Sequence, residues 1–228
     1  MLTIHAAALL LPGGGHASVP GGAVAVRDAV VAAFGPYEEL AAAHPTARVR
    51  RWPGVLTPGL VQRDAVRLLE EWYFPDPREA GALGTEPLTG AALDALGPED
   101  TWRAGSVRRG LHRMLRHGTT AVTAAPTAPP ALLTAARRSG LTVLGPPVSS
   151  SLPVSPPVPP SPSTGGEPVI DPLAGAGSVA DAMASPLTVG GRADLAAFDA
   201  PDEAALLAAG AGSCVATIAA GRLVYRGR

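Results

Sequence analysis

Three polar side chains close an apolar run: Gln62, Arg63 and Asp64 follow Leu60-Val61. An amide, a guanidinium and a carboxylate at the C-terminal end of a strand could orient a substrate and move a proton, because α/β enzymes gather reactive groups at that end of the sheet. Asp64 could also ligate a cation, but a zinc site takes about three protein ligands plus water. The five histidines do not complete one. His5 and His16 lie on or near the first predicted strand, and His44 precedes Pro45 in a loop. His112 and His117 are five apart on one predicted helix, whereas sharing a metal needs an i,i+4 spacing. Neither a metal nor a cofactor is expected.

Other reactive residue types have simpler accounts. Cys214 is the lone cysteine and lies in a predicted strand, where it behaves as a small buried hydrophobe; no histidine can be assigned to activate it. Ser149 to Ser151 sit in a Pro/Ser-rich stretch without a nucleophile motif. Gly13-Gly14-Gly15 is a turn and no helix follows it, so it is not a phosphate cradle. Glu70, Glu71, Asp76 and Glu79 surround Trp72, Tyr73 and Phe74. That cluster is either a helix end packed on a sheet or an exposed recognition patch anchored by aromatics.

Composition bounds the class. With 228 residues, 46% hydrophobic and 16% charged, the chain can bury a core, and its net charge of -1 argues against a nucleic-acid partner. Every basic side chain is Arg, as codon bias in a GC-rich genome would produce. One cysteine excludes an internal disulfide and suits a reducing compartment. No apolar run reaches the ~18 residues of a membrane span, so no membrane partner and a cytoplasmic location are expected.

These residues must be positioned by the following elements. Leu2–Leu11, Ala23–Val26, Ala29–Phe34 and Arg48–Trp52 read as strands of an antiparallel meander, with a short helix at Tyr37–Ala43 after Pro36. Asp64–Tyr73 has helical apolar spacing. Asp100 reads as the N-cap of a helix reaching His117, with Trp102, Val107, Leu111 and Leu115 on one face and Gly118 ending it. Thr119–Ala124, a helix opened by Pro129, and Leu141–Leu144 continue a parallel α/β grammar. Residues 145–171 are too rich in proline for a central strand and read as a polyproline-like or disordered linker. Leu195–Phe198, a helix at Asp202–Ala209, and a hairpin over Ser213–Tyr225 close the chain.

Several pieces resemble the amidohydrolase superfamily of the imidazolonepropionase and aminodeoxyfutalosine deaminase type. Gly22-Ala23-Val24-Ala25-Val26-Arg27-Asp28, with Val31 and Gly35, resembles its N-terminal strand pair, with Ala29 in place of the usual turn Gly. Gly191-Arg192-Ala193-Asp194-Leu195 and the run Val215 to Tyr225 resemble its C-terminal pieces. Pro58-Gly59-Leu60-Val61 resembles the lead-in to the first barrel strand, after which the family places His-x-His. Here those positions hold Asp64 and Val66. Arg116 to Val122 and Ser139 to Val143 resemble the second and third barrel strands.

The resemblance implies a mixed α/β fold: a composite β-sandwich formed by both termini, residues 1–57 plus 185–228. It would carry a truncated (β/α)-barrel-derived insert at 58–144 and a Pro/Ser-rich linker at 145–184. It implies a catalytically degenerate pseudoenzyme serving as a structural or interaction module. The alternative is a hydrolase of non-peptide C–N bonds, of deaminase or cyclic amidase type, with a site rebuilt around Gln62, Arg63 and Asp64 or completed by a partner. An open barrel fragment exposes sheet edges, so a homodimer or another protein is expected to cover it.

Overall fold

The computed structural model describes residues 1–145 and 167–227. The chain begins with β1 (Leu2–Ala6), β2 (Leu9–Leu10), β3 (Val19–Pro20), β4 (Gly22–Arg27), β5 (Val30–Pro36), helix α1 (Tyr37–Ala43) and β6 (Arg48–Arg51). The run expected as one strand over Leu2–Leu11 is two. It breaks at Ala7, whose N–H donates to Gly22 O at 3.0 Å, and the chain there passes from one sheet to another. The first sheet has the order β5-β4-β1-β6. β1 is antiparallel to β4 but parallel to β6, which corrects the expected antiparallel meander. The cause is α1: β5 and β6 run the same way, and a helical crossover is what joins parallel strands.

Side-chain size follows the two faces of this sheet. Val24, Val26 and Val31 enter an apolar cluster with Leu56, Leu195, Ala197, Ala216 and Ile218, which belong to a second sheet. Ala23 and Ala25 turn the other way and meet Ile4, Ala6 and Leu40 of α1. Branched residues fill the space between sheets, and alanines let the helix lie close.

The middle of the chain contains β7 (Val55–Pro58), β8 (Leu60–Gln62), α2 (Ala65–Glu71), β9 (Trp72–Tyr73), α3 (Ala80–Leu83), β10 (Leu88–Thr89), α4 (Gly90–Leu96), α5 (Asp100–Leu115), β11 (Thr119–Thr123), α6 (Pro130–Arg138) and β12 (Thr142–Leu144). The stretch through Pro58-Gly59-Leu60 divides at Gly59. β7 joins the second sheet, and β8 starts a parallel sheet of order β12-β11-β8. A Cβ on Gly59 would collide with the Thr120 side chain, so the two sheets meet there only because this residue has none. Gly118 has φ +73 and a Cβ there would lie 2.8 Å from the Phe198 ring, so glycine serves both the turn and the close approach. Leu111, Met114 and Leu115 of α5 pack with Leu68, Leu69 and Val122. Trp102, expected on the same apolar face, is 48% exposed because it sits in the first turn, beyond the elements α5 covers. The helix expected to reach Tyr73 stops at Glu71; Trp72 and Tyr73 pair with Thr89 and Leu88.

The C-terminal part supplies α7 (Val179–Ala182), β13 (Leu195–Phe198), α8 (Glu203–Ala209), β14 (Cys214–Ala219) and β15 (Arg222–Arg226). The second sheet has the order β15-β14-β13-β7-β2-β3, so both ends of the chain build it. β13 is buried on both faces: Leu195 and Ala197 face the first sheet, while Ala196 and Phe198 join Leu60, Val179 and Leu206. Thr217 Oγ1 donates to Leu115 O at 2.6 Å, fastening β14 to the end of α5.

The architecture is mixed α/β with several sheets, and the three parallel strands form no closed barrel among the described residues. Of the linker expected at 145–184, residues 146–166 lie outside the described residues. The rest is a correction: Leu173, Val179 and Ala182 are buried in the core, because this segment carries apolar side chains once the prolines thin out.

Candidate functional site

Gln62, Arg63 and Asp64 stand together at the C-terminal end of β8, as the sequence implied, but their polar groups are engaged in structure. Gln62 is 3% exposed. Its Nε2 donates to Val169 O at 3.0 Å and to Ile170 O at 2.9 Å, and its Oε1 accepts from Asp64 N at 2.9 Å. One amide thus ties the returning chain to the strand end and supports the turn into α2. Arg63 is exposed and donates to Asp181 O at 2.7 Å, holding α7. Asp64 is the N-cap residue of α2, and its carboxylate lies 4.0 Å from Arg67.

The amidohydrolase resemblance implies a metal, and the residues do not fit one. Val66 has no donor atom where a histidine would stand, and no group of three His, Cys, Asp or Glu among the described residues could hold an ion. His117 lies past the end of α5, not on it, with Nδ1 2.8 Å from Arg113 O; His112 contacts the Tyr225 ring edge-on. His5 is buried and accepts from Trp52 Nε1 at 3.1 Å.

Cys214 is 5% exposed, and burial pushes its thiol up to about 11, against weaker opposing hydrogen bonds from Thr217 and backbone. A thiol so protonated at neutral pH is a poor nucleophile. Asp194 Oδ1 accepts from Ala220 N at 2.7 Å and from Arg192 Nε at 2.9 Å, bracing the β14–β15 turn.

The acidic and aromatic cluster is divided among local tasks. Glu71 pairs with Arg67. Asp76 and Glu79 form a reciprocal cap on the turn at Pro77–Glu79. Glu79 also accepts from the Tyr73 hydroxyl at 3.0 Å, and Tyr73 is 1% exposed; burial and then Glu79 raise the phenol's pKa. Beside this cluster lies a feature the sequence reading passed over. Arg108 and His112 of α5, continued by Arg116 at its C-cap, form one row at i,i+4 spacing, and Arg109 and Arg113 form the next. The spacing was visible in the sequence; the wall facing it was not.

Residues 22–47 match the imidazolonepropionase-like composite domain of bacteria, so the resemblance seen in Gly22–Asp28 and Gly35 is shown over that segment. No curated protein matches the chain. Among solved structures it is similar to Aspergillus niger ochratoxinase (19% identity, 63% of this chain and 31% of that one, TM-score 0.43). It is also similar to the guanine deaminase of Bradyrhizobium japonicum (20%, 64% and 34%, TM-score 0.43). A third is the aminofutalosine deaminase of Helicobacter pylori (16%, 64% and 33%, TM-score 0.39). The chain spans about a third of the length of these proteins.

Proposed function

We propose that this chain is a catalytically degenerate relative of the amidohydrolases, working as a structural or interaction module. The two facing sheets are its composite β-sandwich, drawn from residues 1–57 and 185–228, and residues 58–144 are the remnant of a barrel. The observation that carries this reading is Gln62. At the strand end where α/β enzymes keep reactive groups, its whole amide is bound to backbone at Val169, Ile170 and Asp64. The donor set supports it, since Asp64 and Val66 stand at the two histidine positions.

The test has two parts. Metal content of chelator-treated protein, dialysed against zinc and measured by elemental mass spectrometry, is expected to stay far below one ion per chain. Turnover of deaminase and cyclic amide substrates is expected to be absent. Metal-dependent turnover that Asp64→Ala abolishes would overturn the reading in favour of a C–N hydrolase with a rebuilt site.

The interaction half of the proposal concerns β12, which pairs with β11 on one side and has half-buried residues along its length. A second copy of the chain or another protein would cover this edge. Light scattering across a concentration series checks the homodimer, which a strictly monomeric mass at all concentrations would exclude.

A further inference from the structure

We propose that the arginine-lined groove on α5 binds a small phosphorylated molecule carrying an aromatic or heterocyclic ring, of the nucleotide class. The groove measures about 460 Å³. One side is α5, presenting Arg108, Arg109, His112, Arg113 and Arg116; the other is the segment Phe74–Pro77. Asp76 is the one carboxylate among its lining residues; with Glu86 paired to Arg113, four guanidiniums meet two carboxylates, so the groove carries net positive charge in a chain of net charge -1.

Two of the arginines are held in place by neighbours. Arg109 Nε donates to Phe74 O at 2.7 Å and its NH1 meets Asp76 at 3.3 Å, while Arg113 pairs with Glu86 at 3.1 Å. Among the described residues Arg108 forms no ion pair, and Arg116 has only a ring contact, 6.0 Å over Tyr225. The helix C-terminus favours cations, which accounts for the last turn but not for Arg108 and Arg109 a turn and more earlier. Planar guanidiniums arranged on two adjacent helical rows suit the three oxygens of a phosphoryl group, which they bind in bidentate fashion.

The ring is assigned from the neighbouring hollow. A second depression of about 310 Å³ continues the first, sharing Asp76, Gly105, Arg108 and Arg109, and is lined by Trp102. Trp102 is 48% exposed in the first turn of α5, so its indole is accessible to a ligand ring. A planar ring on Trp102 with its phosphate toward Arg108 and Arg116 spans the two hollows as one site. This inference does not depend on the pseudoenzyme reading, because the groove lies away from the end of β8.

The experiment is a titration of the full chain at low ionic strength with adenosine diphosphate, pyrophosphate and adenosine, followed by calorimetry and tryptophan fluorescence. Saturable binding is expected for the diphosphate nucleotide, weaker binding for pyrophosphate, and none for adenosine. Arg108→Ala should weaken the nucleotide at least about tenfold. Trp102→Ala should weaken it about fivefold while leaving pyrophosphate unchanged. Both side chains are exposed, and far-ultraviolet circular dichroism checks that the variants are folded. Saturable pyrophosphate binding with no gain from the nucleoside would overturn the ring assignment. No binding by any probe, or equal binding by Arg108→Ala, would overturn the site.

Discussion

His5 offers the most direct test of the packing between the ends of the first sheet and the strand that follows. It lies on β1, 2% exposed, with its ring 6.0 Å from that of Trp52 and nearly parallel to it. Trp52 Nε1 donates to Nδ1, so the imidazole must be neutral there with its proton on Nε2. Burial, and secondarily the Arg50 charge, bring its pKa from 6.5 down to about 4. The folded state therefore refuses a proton that the unfolded chain accepts. The resulting stability is complete above the unfolded value, and falls as pH drops from about 6.5 toward about 4. At about 1.36 kcal/mol per unit, the whole window is worth about 3 kcal/mol, of which about 2.5 is lost by roughly pH 4.5. His5→Gln keeps an acceptor for Trp52 without a titrating group. Urea unfolding of both proteins, monitored by fluorescence at about pH 7 and about pH 4.5, isolates the effect from the carboxylates they share. The variant should lose about 2.5 kcal/mol less than the parent over that interval. Equal losses would refute the assignment of a neutral, buried His5.

Four further outcomes follow from single residues. Gln62→Leu should cost about 2 kcal/mol in denaturant midpoint, because two carbonyls and one amide lose their partner in partly buried surroundings. Cys214 should resist iodoacetamide in the folded protein and react fully in denaturant, as mass spectrometry would show; burial and the raised pKa act in the same direction. Gly110→Ala should destabilise by about 1–3 kcal/mol in thermal unfolding despite alanine's better helix propensity, because its Cβ would lie 2.7 Å from both Leu69 and the Phe74 ring. Ala220→Gly should raise stability by up to ~1 kcal/mol, since Ala220 holds φ 47, in the left-handed region that glycine adopts freely.

Much of the local structure was legible because it depends on neighbours in sequence. The helix at Tyr37–Ala43, the β14–β15 hairpin around Ala220-Gly221, and the alternation of β4 all follow from turn residues and period-two or helical spacing. The sequence placed Gln62, Arg63 and Asp64 at the C-terminal end of a strand, where they follow β8, and the resemblance put Asp64 and Val66 where its two histidines would fall. The use of those side chains could not. Gln62 binds carbonyls more than a hundred positions away, and Asp194 braces a turn 26 residues on; neither partner leaves a periodic trace in the sequence.

The same limit governs the sheets. Leu2–Leu11 has the composition of one strand, and only the competing claims of two sheets on its halves divide it at Ala7. Apolar pattern and turn chemistry, both short-range, thus determined by themselves most of the helical and extended segments, though not all of their bounds. Which strands pair, where the returning chain meets β8, and that four arginines and His112 face one wall are set by long-range packing. Residues distant in sequence become neighbours only when the core is buried.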